Sequence, residues 1–136
     1  MANLEAVRKW FQKDRFATEV CGIEILEAEQ GHAVCEMKIT DGHMNAGNVV
    51  QGGAIFTLGD FTYAIASNCG GTISVTLDNN ISFLAPATGS FLRAEAVEAS
   101  STNRLCFYDV SITDEKNTLV AKMTVTGYKK GEIKFE

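Results

Sequence analysis

Gly52-Gly-Ala-Ile-Phe-Thr-Leu-Gly-Asp60-Phe-Thr-Tyr-Ala-Ile-Ala-Ser67 carries nine apolar residues in sixteen positions. Read as a helix, these apolar residues surround the axis rather than line one side of it. A helix that is apolar all round is wrapped by the rest of its protein. At about 1.5 Å per residue, a helix over 52–68 is roughly 25 Å long, comparable to the thickness of a small domain. One residue breaks the pattern. Asp60 is the only Asp, Glu, Lys, Arg or His between Met44 and Leu77. A lone buried carboxylate is costly unless something offsets it. A structural hydrogen bond to a neighbouring loop is one reason to keep it, and chemistry is the other. The residues alone leave both open.

Outward from this helix the period changes. After Gly70-Gly71 it becomes two. Ile73, Val75 and Leu77 alternate with Ser74, Thr76 and Asp78, and Ile81 and Phe83 continue that parity. Leu92, Ala94 and Ala96 follow, then Cys106, Tyr108, Val110 and Ile112, then Leu119, Ala121, Met123 and Val125, separated by polar turns. This predicts four consecutive half-buried strands in an antiparallel meander. On the N-terminal side, Leu4, Val7, Trp10 and Phe11 recur at helical spacing and predict an amphipathic helix over 3–14. Ile23 and Ile25, then Ala33, Cys35, Met37 and Ile39, predict a hairpin turning at Gln30-Gly31. The run 40–48 is rich in turn formers and reads as a loop. The expected fold is α+β: one antiparallel β-sheet curled around a long central α-helix, with an N-terminal helix, as one domain over 1–136. Such an open sheet leaves edge strands, which dimerisation often covers.

The chain has 136 residues, a net charge of −5 and a pI near 5.0. No basic stripe suggests a nucleic-acid partner. No apolar segment reaches the length of a membrane span, and the N-terminus lacks the apolar core of a signal peptide. Cys21, Cys35, Cys69 and Cys106 form no C-x-x-C pair, and His32 and His43 have no partner at zinc spacing. The reading is a cytoplasmic protein with buried thiols and no metal or cofactor.

Three features gather near Asp60. Gln51-Gly52-Gly53 leads into the helix, and glycines there allow a ligand or backbone close to its first turn. The first N–H groups of a helix lack intrahelical partners and carry the positive end of its dipole, so they can hold an anion or polarise a carbonyl. His43, Asn45 and Gln51 bring neutral polar groups to the preceding loop. Within the helix Gly53, Thr57, Asp60 and Ala64 share one narrow small-or-polar stripe. Asp60 lies eight residues beyond Gly52, roughly 12 Å along the axis. The carboxylate and the N-terminal amides of one helix therefore cannot act on the same bond. If both act, one comes from a second subunit, and two such helices antiparallel across a two-fold axis would bring Asp60 beside the other's Gly52.

At these residues the chain resembles the hotdog-fold acyl-CoA thioesterases, most closely the PaaI-like (phenylacetate-pathway) group. That family carries a motif of the form H-x-N-x(5)-H-G-G-x(4)-L-x-D. Here it reads His43-Met-Asn45-Ala-Gly-Asn-Val-Val-Gln51-Gly52-Gly53-Ala-Ile-Phe-Thr-Leu58-Gly-Asp60. The resemblance continues through the strand 75–87 and the last hairpin, 114–121. It implies that Asp60 acts as general base or nucleophile and that the Gly52 N–H polarises the thioester carbonyl. It implies further that Asn45 faces the leaving group or water, and that Thr76 stands where the family often has a Ser or Thr holding the water. Gly53 belongs to the substrate-facing glycine pair, and Arg104 either meets a CoA phosphate or is a surface arginine. Gln51 replaces the family's histidine. It can accept or donate a hydrogen bond but cannot titrate near neutral pH.

The function implied is hydrolysis of an acyl- or aryl-acyl-CoA to free acid and CoA, by a homodimer or a homotetramer built as a dimer of dimers. A non-catalytic acyl-CoA-binding hotdog module is the alternative, motivated by Gln51. A hydratase is disfavoured, because no histidine lies in or after the helix.

Overall fold

A computed structural model describes residues 3–135. The elements run α1 (Leu4–Phe11), a short π-helix (Phe16–Val20), β1 (Ile23–Glu29), β2 (His32–Lys38), a 3-10 turn (Asp41–His43), α2 (Gly52–Asn68), β3 (Thr72–Phe83), β4 (Phe91–Ser101), β5 (Leu105–Asp114) and β6 (Leu119–Glu132). The six strands form one antiparallel sheet of order β1-β2-β4-β5-β6-β3.

The sheet curls around α2. Leu58, Ile65 and Ala66 of the helix are fully buried, as are Met37, Leu92, Val110, Ile112 and Ala121 of the strands. Helix and sheet approach closely at Gly59, where an added Cβ would run into the Met123 Sδ. The helix is wrapped on most sides, which is why its sequence shows no single apolar stripe. The hairpin turns at Gly31, in a left-handed conformation (φ 88°), and the Gly31 N–H donates to Ala66 O of the helix. All four cysteines are buried and unpaired. Burial pushes the Cys69 thiol up to about 11 and the Cys35 thiol up to about 12, so neither is a ready nucleophile.

Three expectations are corrected. First, the four C-terminal strands are not one meander. β4, β5 and β6 are, but β3 lies outside β6, and β2 takes the place beside β4. Alternation identifies a strand without naming its neighbours. The connection 84–90 is seven residues, roughly 23 Å when extended, enough to cross the roughly 14 Å of three strand spacings.

Second, the apolar parity of β3 does not face the helix along its length. Val75 and Leu77 are 40% and 59% exposed, whereas Ser74 is buried. Irregularities in the β3–β6 pairing fall between Ile73 and Ser74 and between Thr76 and Asp78. Each shifts the alternation by one residue. Beyond the second, half-buried Asn79 and Ile81 take the inward positions.

Third, α1 ends at Phe11 rather than at residue 14, and a π-helix not read from the sequence follows. Asp14 starts the new turn, its side chain accepting the Ala17 N–H. Phe11 meets Phe61 of α2 edge-to-face at 5.9 Å, which anchors this N-terminal segment to the central helix.

Candidate active site

The start of α2 is capped by its own sequence. Gln51 is the N-cap residue, and its side-chain Oε1 accepts the Gly53 N–H. The Gln51 carbonyl accepts the N–H groups of Ala54 (2.9 Å) and Ile55 (3.3 Å). The Gln51 N–H donates to His43 O at 2.8 Å, so of the four amides a helix start leaves over (Gln51, Gly52, Gly53 and Ala54) three are satisfied. The Gly52 N–H alone has no partner among the described residues. The cap also explains Gly53, since an added Cβ would lie 2.6 Å from Gln51 Oε1. Gly52 is covered on one side by a ring: its Cβ, if present, would be 3.1 Å from Phe83 Cζ. Beside it a pocket of about 500 Å³ is lined mainly by apolar residues, among them Val49, Ile55, Leu84 and Pro86.

Two turns along the helix, Asp60 is half-buried. Its Oδ1 accepts from Asn79 Nδ2 at 3.3 Å. Burial holds its pKa above the ordinary carboxylate value, the Asn79 hydrogen bond pulls against this, and the charge of Asp14 adds to the rise. Asn79 contributes more than that bond. Its own Oδ1 is buried and has no hydrogen-bond partner among the described residues. Reading the sequence missed Asn79. The signal available was Asp78-Asn79-Asn80, three polar residues in a row inside an apolar strand, which marks a break in alternation.

Helix and strand run in opposite directions. Phe83 lies over Gly52, Asn79 meets Asp60, and the Ser74 N–H donates to Asn68 Oδ1 at 2.7 Å. Within this chain the open amide and the carboxylate therefore sit at separate places along β3.

The remaining candidates divide. His43 is buried and structural: its Nδ1 accepts the Thr40 N–H at 3.1 Å and its Nε2 lies 2.8 Å from Cys21 O. Asn45 is exposed, and its Oδ1 accepts the N–H groups of Gly47 (2.8 Å) and Val49 (3.3 Å), which shapes the loop before α2. Its amide nitrogen has no hydrogen-bond partner among the described residues. Thr76 is exposed on β3 opposite Gly127, just before the second irregularity. Arg104 is exposed in the β4–β5 turn, and its carbonyl accepts the Lys129 N–H. Lys129 pairs with Ser74, so Arg104 lies towards the C-terminal end of α2, away from Gly52 of its own chain. Among the described residues no group of three or more His, Cys, Asp or Glu could hold a metal ion, and no helix is long and apolar enough to cross a membrane.

The chain matches known proteins over this whole framework. The family model described as thioesterase superfamily matches residues 47–121, a span that holds Gln51, Gly52, Asp60 and Asn79. A protein of Archaeoglobus fulgidus named "Putative esterase" is 33% identical over 130 residues, 95% of this chain and 84% of that one. Acyl-coenzyme A thioesterase PaaI of Escherichia coli is 32% identical over 101 residues, 74% of this chain and 72% of that one. The solved structure of the E. coli PaaI protein has the same fold, with a TM-score of 0.85 over 94% of this chain and 96% of that chain at 24% identity. A Streptococcus mutans protein solved with bound acetyl CoA gives a TM-score of 0.78 at 26% identity, over 82% of this chain and 91% of that chain. With its six-stranded sheet curled around one helix, the chain is a PaaI-like hotdog-fold enzyme and belongs to the thioesterase superfamily.

Proposed function

We propose that this thioesterase hydrolyses acyl-CoA, with Asp60 as general base and the Gly52 N–H of a second copy of the chain as the donor to the thioester carbonyl. The observation that carries this reading is the open Gly52 amide, roughly 12 Å along the axis from a half-buried carboxylate on the same helix. The E. coli relative named as an acyl-coenzyme A thioesterase and the acetyl-CoA-bound neighbour support the substrate class.

The chemistry follows from these two groups. Asp60 accepts a proton from water as the water oxygen bonds to the thioester carbon. The carbonyl oxygen becomes an oxyanion, and the Gly52 N–H donates to it at the positive end of a helix dipole. The tetrahedral centre collapses, the C–S bond breaks, and the protonated Asp60 returns its proton to the departing thiolate. The products are the free acid and CoA. A pKa raised by burial makes Asp60 a stronger base than a solvated carboxylate, which suits this role.

The edge strand β3 offers a surface for the second copy. It ends the sheet, and it presents Val75 and Leu77 outward. An edge with apolar side chains is a template for pairing with another edge. Pairing β3 with its own copy in antiparallel sense would set two α2 helices side by side with opposite directions. The alternative, a module that binds acyl-CoA without turnover, rested on Gln51 in place of a histidine. Its capping bond to Gly53 gives Gln51 a structural purpose that needs no titration. The test is hydrolysis of an acyl-CoA panel by the wild type and by Asp60→Ala. Turnover lost in the variant supports the reading, and equal rates overturn it.

A further inference from the structure

Asn79 is the one residue whose side chain touches Asp60 by hydrogen bond among the described residues, and it does so with half of its amide. The other half, Oδ1, is enclosed in protein with nothing to accept from. Buried acceptors without donors are uncommon, and each calls for an account. If the amide were needed only as a fixed donor to a carboxylate, an apolar wall behind it would serve without burying an oxygen.

The chemistry of the site supplies a reason for both ends. A general base in thioester hydrolysis is a carboxylate before water attacks and a carboxylic acid until the thiolate leaves. The first form only accepts hydrogen bonds, and the second also donates one. A primary amide offers a donor and an acceptor on one planar group, exchanged by half a rotation about a torsion that is broad and nearly two-fold. Because Asn79 Oδ1 has no partner to give up, that rotation breaks no hydrogen bond other than the one it replaces.

We propose that Asn79 is the positioning residue for Asp60 and serves both of its protonation states, donating from Nδ2 to the carboxylate and turning over to accept at Oδ1 from the carboxylic acid. The role depends on Asp60 being the general base proposed above, but the pairing itself stands on geometry. The irregularity between Thr76 and Asp78 is what turns Asn79 towards the helix. Three influences bear on Asp60. The apolar surroundings raise its pKa most. Asn79 on β3 lowers it, and Asp14, on the connection between α1 and the π-helix, raises it.

The test has an arm that needs no turnover. In wild-type protein labelled with nitrogen-15 and carbon-13, the Asn79 side-chain amide and the Asp60 carboxyl are followed by NMR as pH is lowered. The two are expected to shift with one midpoint, and the Asn79 signals are expected to stay fixed in Asp60→Asn. In the kinetic arm Asn79→Leu, which keeps the bulk and deletes both polar ends, is expected to lower kcat roughly ten- to a hundredfold, the worth of a hydrogen bond to a charged group. It should leave KM nearly unchanged and move the acid limb of the kcat profile to higher pH. Asn79→Asp should move that limb further, because a second carboxylate opposes ionisation of the first. An Asn79 amide that ignores the titration of Asp60 overturns the proposal, as does an acid limb unmoved in Asn79→Leu. If the wild type hydrolyses no thioester, the functional reading fails while the NMR arm still decides the pairing.

Discussion

Gln51 turns back on its own helix and accepts the Gly53 N–H, so the Gly52 N–H is the amide left open at the start of α2. The bond links a substitution in the motif to its consequence. A glutamine in this place holds the backbone through hydrogen bonding alone. Gln51→Ala is therefore expected to lower the unfolding free energy by about 1 kcal/mol, the usual scale of a lost N-cap. The shape of the kcat profile against pH should not change, since no titrating group is removed. Denaturant unfolding and a pH–rate series check the two halves.

Gly52 can be tested without disturbing the helix. Proline is tolerated at the first helical position, where its missing N–H is not needed for the helix. The preceding residue, Gln51, already has the extended backbone that proline requires of its neighbour (φ −64°, ψ 137°). Gly52→Pro is expected to fold and to lose roughly 10²–10³ in kcat, the scale of one deleted oxyanion donor. Gly52→Ala is the control. Its Cβ crowds Phe83 at 3.1 Å, but that ring is 53% exposed and free to yield, and the N–H remains. Its kcat should fall much less.

Asp60 should trade stability for function. Its folded-state pKa is raised, chiefly by burial, so the neutral form is the one that folding favours. The corresponding stability is fully present below the ordinary aspartate pKa and is lost as pH rises through the raised folded value. At neutral pH the ionised group is then a cost. Asp60→Asn keeps an acceptor for Asn79 and removes the charge, so it should melt higher than wild type at neutral pH. The advantage should shrink as the solution is acidified. Melting temperatures of both proteins across pH check this, and a variant less stable at neutral pH would contradict it.

The exposed face of β3 gives a prediction about assembly. Leu77 is 59% exposed at the sheet edge. Leu77→Lys places a charge where two edges would meet, a common way of blocking strand pairing. The variant is expected to run as a monomer in light scattering and to lose activity, although Asp60, Asn79 and Gly52 are untouched. An active monomer would refute the shared site.

Much of this architecture was legible in the residues. The helix 52–68 and its lone carboxylate stood out because a long helix apolar on every side is stable only when the rest of the chain wraps it. The six strands were visible from period-two alternation. Their order was not, because pairing of β3 with β6 rather than β4 depends on where a seven-residue connection runs. The inward turn of Asn79 follows the parity of Ile81, but its pairing with Asp60 depends on which part of β3 lies over the helix there, which periodicity does not give. Two irregularities in β3 shift its parity, and a simple alternation count carries Val75 and Leu77 to the wrong face. The role of Gln51 could not be read either, since a cap is a matter of side-chain direction. A substitution that looked like a lost titrating group proves to be a helix cap.

The most direct measurement is the steady-state rate of hydrolysis across short-chain, medium-chain and aryl acyl-CoA substrates for the wild type and Asp60→Asn. The account predicts turnover of at least one of these thioesters by the wild type and a fall in kcat of roughly 10²–10⁴ in the variant, with the fold intact by circular dichroism. Equal rates for the two proteins, or no turnover of any acyl-CoA by the wild type, would contradict it.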